Sequence, residues 1–62
     1  MTIGSHVIAV HVDDESLRGR VGRVVVKTPD EEESTLPEDV VVRLETGERV
    51  CFESRELLEI LG

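Results

Sequence analysis

Short apolar runs alternate with polar, glycine-bearing intervals along this chain, and within the runs the side chains repeat at a period of two. His6 to Val12 reads His-Val-Ile-Ala-Val-His-Val, a β-branched stretch that predicts a strand. Successive side chains of a strand point to opposite faces, so placing Ile8, Val10 and Val12 inward turns Val7, Ala9 and His11 outward. Val21 to Lys27 predicts a second strand, with Val24 and Val26 as its inward pair. Val40 to Leu44 and Arg49 to Phe52 predict a third and a fourth. Asp13 to Gly19 is a polar loop. Thr28 to Asp39 carries both prolines and Glu31-Glu32-Glu33, and reads as a long acidic loop, mobile and dispensable for folding. Ser54 is placed to cap one helical turn through Leu57, after which Leu58 to Leu61 closes the chain.

The third and fourth strands fix their own register. Val40, Val42 and Leu44 share a face with Val50 and Phe52 only if paired residue numbers sum to an even value, which excludes a two-residue turn. A three-residue loop, Glu45-Thr46-Gly47, satisfies this and puts glycine at the left-handed position of a bulged hairpin. Val42 then faces Val50 and Val40 faces Phe52. The same register sets Arg43 against Arg49, a like-charged pair that Glu45, Glu48 or a partner's carboxylate is expected to relieve.

Sixty-two residues make one domain, 1–62, whose expected core is Ile8, Val10, Val24, Val26, Val42, Leu44, Val50 and Phe52. Seven basic against fourteen acidic residues leave a net charge of −7. An acidic chain with Phe52 as its one aromatic lacks both the charge and the stacking platform that favour nucleic acid. No apolar run approaches the ~20 residues of a membrane span, and no signal peptide is visible. Cys51 is the lone cysteine, which fits a reducing cytoplasm, and no disulfide is expected. A complete enzyme is improbable at this size.

Five short strands, an acidic loop and a closing helical turn describe an all-β, five-stranded SH3-like barrel. Gly19-Arg20-Val21-Gly22-Arg23-Val24 resembles the Gly-x-x-Gly-x-Val step that opens the second strand in many such barrels, KOW modules among them. Gly4-Ser5-His6-Val7, Val21 to Val24, Val40 to Leu44, and Phe52 through Glu56-Leu57 to Glu59-Ile60 are similar, in order, to the E-type reaction-centre proteins of photosystem I. That family belongs with the electron-transport accessory proteins, which include the variable chain of ferredoxin–thioredoxin reductase. The resemblance implies the barrel and a general role as an accessory binding module, and carries over no docking residue.

No catalytic, cofactor or metal site is expected. His6 and His11, five apart on one strand, fall on opposite faces and cannot share a metal without a bulge. Asp13-Asp14-Glu15 and Glu31-Glu32-Glu33 lack the spacing of a calcium loop and read as solvated acidic segments. Cys51, between Val50 and Phe52, reads as a small apolar side chain. The outward faces hold the one lead. Val7, Ala9, Val25, Val41 and Cys51 point away from the core, where a sheet face in water is ordinarily polar. Either barrel curvature or the C-terminal Leu57-Leu58-Ile60-Leu61 segment covers this stripe, or a partner does. The expected partner-binding residues are Arg18, Arg20, Arg23, Val25, Val41, Arg43 and Arg49, on a module that docks to a larger complex or homodimerises. The alternative is a KOW-type nucleic-acid or ribonucleoprotein module using Arg18, Arg20 and Arg23. Neither a small-molecule ligand nor membrane insertion is expected.

Overall fold

The computed structural model describes residues 1–60. Five antiparallel strands make one sheet: β1 (His6–Ala9), β2 (Val21–Val24), β3 (Asp39–Leu44), β4 (Arg49–Glu53) and β5 (Leu57–Glu59). Their order is β4-β3-β2-β1-β5, so β4 and β5 are its edges and the sheet is not closed. A short helix, α1 (Pro29–Ser34), precedes β3, and a 3₁₀ turn over Ser54–Glu56 joins β4 to β5.

One face of the sheet carries the core: Val7, Ala9, Val12, Val24, Val42, Leu44, Phe52 and Leu57. Phe52 lies on one edge strand and Leu57 on the other, yet both belong to this cluster. The edges of a flat five-stranded sheet stand roughly 19 Å apart at the usual strand spacing. The sheet is therefore strongly coiled, and its concave face supplies its own cover. At Gly22 the neighbouring strand comes close: a Cβ there would stand 2.5 Å from the Arg43 carbonyl oxygen and 2.7 Å from Val42 Cγ1. Only glycine fits at that distance.

The hairpin register is as the sequence requires. Val42 pairs with Val50, Val40 with Phe52 and Arg43 with Arg49. Gly47 has φ +92° and donates its amide to the Leu44 carbonyl at 2.8 Å. In β1 the expected facing is reversed. Val7 and Ala9 are each 1 % exposed and belong to the core, whereas Ile8 and Val10 are only half-buried. The amides of Val10 and His11 then both donate to the Glu56 carbonyl, at 2.9 and 3.2 Å. That bulge consumes one residue and returns Val12 to the inside. Val26, expected in the core, is 64 % exposed, because β2 ends at Val24 and the chain turns off the sheet.

The segment expected as an acidic loop contains α1. Thr28 is its N-cap: Thr28 Oγ1 accepts from the Glu31 amide at 3.2 Å, and Glu31 Oε1 accepts from the Thr28 amide at 2.8 Å. This reciprocal pair, with Pro29 opening the helix, satisfies donors that a six-residue helix otherwise leaves bare. The expected cover from the C-terminal segment is not seen at the described residues, where Leu58 is 60 % and Ile60 40 % exposed; Leu61 lies outside them.

Candidate interaction face

The convex face of the sheet is ordered in rows that cross the strands. In one row His6 pairs with Arg23, Arg23 with Arg43, and Arg43 with Arg49. Three of the chain's six arginines thus stand side by side on adjacent strands, roughly 4.8 Å apart along the row. Like charges directly opposite one another are destabilising. Two residues along the strands lies an apolar row, in which Leu58 pairs with Ile8 and Ile8 with Val21. Leu58 and Val21 are exposed and Ile8 is half-buried. The charged row and the apolar row together make one continuous face.

The arginines of the row differ in what they hold. Arg49 is clasped: Nε stands 3.0 Å from Glu31 Oε2, and Nη2 stands 2.7 Å from both Glu31 Oε1 and the Val26 carbonyl. The guanidinium, with the Thr28 amide, draws the Glu31 carboxyl down to about 2, and Glu31 in turn raises Arg49. Arg23 donates Nη1 to the Gly4 carbonyl at 3.1 Å and meets no carboxylate. The Arg43 side chain has neither a hydrogen bond nor an ion pair among the described residues. A shallow depression of about 310 Å³ is lined by His6, Val21, Arg23, Val25, Arg43 and Glu45. Glu45 in it is already taken by Arg20 at 3.0 Å, and its own amide and that guanidinium hold its carboxyl below the ordinary value.

Of the residues expected to bind a partner, Arg23, Val25, Val41, Arg43 and Arg49 lie on this face, and two lie elsewhere. Arg18 donates to the Val12 carbonyl at 3.0 Å, within its own loop. Arg20 is held at the β3–β4 turn by Glu45. Val41 is 2 % exposed and presents no surface; it forms the floor of an open groove of about 580 Å³ whose walls include Val25, Glu32 and Pro37. The groove around Val41 is flanked by Met1 and Ile3 of the N-terminus and by Glu32 and Pro37, not by the C-terminal segment. Sequence reasoning missed His6, Ile8, Val21 and Leu58 as members of the face. The reversed facing of β1 hides the first two, and cross-strand pairing alone reveals the row.

Cys51 is exposed, but its thiol is pushed up by partial desolvation and by the neighbouring Asp39 carboxylate, away from the reactive thiolate. Among the described residues, no three His, Cys, Asp or Glu side chains converge as a metal site would require. No helix there is long and apolar enough to cross a membrane. No family model, no curated protein and no solved structure matches this chain.

Proposed function

We propose that the chain is a non-catalytic protein-binding accessory module, built on the SH3-like small-barrel plan, which docks to a larger complex or to itself through the convex face of its sheet. The observation that carries this reading is the uncompensated row of His6, Arg23 and Arg43 beside the apolar row of Leu58, Ile8 and Val21 in a chain of net charge −7. Such a row costs stability in the free molecule and gains from a partner's carboxylates. The resemblance of its short motifs to those of the electron-transport accessory proteins implies the same general role. The KOW-type reading draws less support, because Arg18 and Arg20 are occupied by Val12 and Glu45 and do not join Arg23 in one strip.

Capture from a cell extract tests the reading. A tagged wild-type chain is expected to retain itself or a discrete protein, and a folded Arg23→Glu/Arg43→Glu variant to lose it. The same set retained by both proteins, or retention of RNA at low salt in place of protein, contradicts the reading.

A further inference from the structure

We propose that the convex face is the two-fold contact of a homodimer, in which α1 of each copy lies against the His6–Arg23–Arg43 row of the other. This rests on the binding-module reading above and names the partner as a second copy of the chain. Three observations carry it. First, the row lacks a counter-charge: among the described residues Arg23 and Arg43 form no ion pair. Second, the missing counter-charge stands on the same molecule. Asp30, Glu32 and Glu33 of α1 are exposed and likewise form no ion pair there. Third, the Glu31–Arg49 clasp fixes α1 beside the row on the same face. Positive and negative patches therefore sit side by side in a set geometry.

A face with that pattern is complementary to itself. A two-fold rotation lays the acidic patch of each copy on the basic patch of the other and makes the contact twice, closing the assembly at two. The apolar row of Leu58, Ile8 and Val21 lies within the same footprint and leaves water as the copies meet. The molecule measures 28 × 25 × 22 Å, so a contact on one of its sides falls short of the ~800 Å² per partner of a standard interface. A foreign acidic protein would satisfy only the basic half, leaving α1 facing like charge. Nucleic acid would meet α1 repulsively for the same reason. The repulsion between two copies of net charge −7 keeps the dimer weak.

Salt screens both the paired patches and the net repulsion, so exchange of charges is the decisive test. Sedimentation equilibrium is measured for wild type, Arg43→Gln, Arg43→Glu, and Arg43→Glu combined with Glu32→Arg and Glu33→Arg, each checked for native circular dichroism. Wild type is expected to rise with concentration from 6.9 kDa towards twice that mass. Arg43→Glu should weaken association at least tenfold, Arg43→Gln less, and the charge-exchanged variant should recover most of the loss. A wild type that stays monomeric, an Arg43→Glu chain of unchanged affinity, or an exchanged variant that recovers nothing overturns the dimer. Capture from an extract, run in parallel, separates the two levels. A monomer that still retains a protein in an Arg43-dependent way overturns the second copy as partner and leaves the binding module standing. A monomer that retains nothing, or retains RNA, overturns both.

Discussion

Glu31 and Arg49 lie eighteen residues apart and meet as a fork, with Arg49 Nη2 2.7 Å from Glu31 Oε1 and Nε 3.0 Å from Oε2. The same carboxylate caps α1 by accepting from the Thr28 amide. One side chain therefore both starts the helix and holds it over the sheet. It also neutralises one end of the arginine row and leaves Arg43 as the exposed centre.

The clasp has a pH signature. The Glu31 carboxyl is lowered by Arg49 first and the Thr28 amide second, to about 2 against an ordinary 4.5. A carboxylate lowered in the folded state contributes stability that is complete above its unfolded value and is lost as pH falls through the folded one. Calorimetric melting temperatures of wild type and Glu31→Gln are expected to differ near neutrality and to converge between pH 4.5 and about 2. A constant difference over that window contradicts the clasp.

Phe52 ties the coiled sheet together. It is 2 % exposed on edge strand β4 and shares the core with Leu57 of β5. Phe52→Ala is expected to cost ~3–5 kcal/mol, comparable to the whole margin of a domain this small. Urea unfolding measures it, and an unchanged midpoint refutes the packing.

Gly22 tests how tightly the sheet closes on itself. Gly22→Ala places a Cβ against the Arg43 carbonyl, a backbone atom with no freedom to swing aside. The expected destabilisation is ~1–3 kcal/mol, the usual range for overpacking. A variant as stable as wild type would show that β2 and β3 do not approach this closely.

Cys51 is exposed yet should be a poor nucleophile. Desolvation, then Asp39, raises its thiol above the ordinary 9.0. Alkylation at neutral pH is expected to be slower than for a cysteine in the urea-unfolded chain, and Asp39→Asn should speed it. Equal rates in the folded and unfolded chains contradict the assignment.

Val41 marks the limit of what alternation reveals. Its outward position was legible, because Val40, Val42, Val50 and Phe52 fix the hairpin register and Gly47 fixes the turn. Its surroundings were not, because Met1, Ile3 and Pro37, which flank it, are brought there by the fold and not by the local pattern. The signal for α1 itself is present: Thr28-Pro29-Asp30-Glu31 is a capping box with proline at the first helical position. In β1 the pattern is degenerate, since Val7, Ile8 and Val10 are β-branched on both faces and the bulge at Val10–His11 shifts the phase. The arginine row needed both sheet pairings, of which the hairpin gave only Arg43 and Arg49. Val41→Glu, on a residue this buried, is expected to unfold the domain rather than only detach a partner.

Amide chemical shifts, recorded by nitrogen–proton correlation from dilute to concentrated solution, test the role of the convex face most directly. The expected result is concentration-dependent movement confined to His6, Ile8, Val21, Arg23, Arg43 and α1, abolished by Arg43→Glu. Movement centred instead on the Asp13–Gly19 loop or the Glu45–Gly47 turn, or none on the convex face with either a second copy or a captured protein, contradicts it.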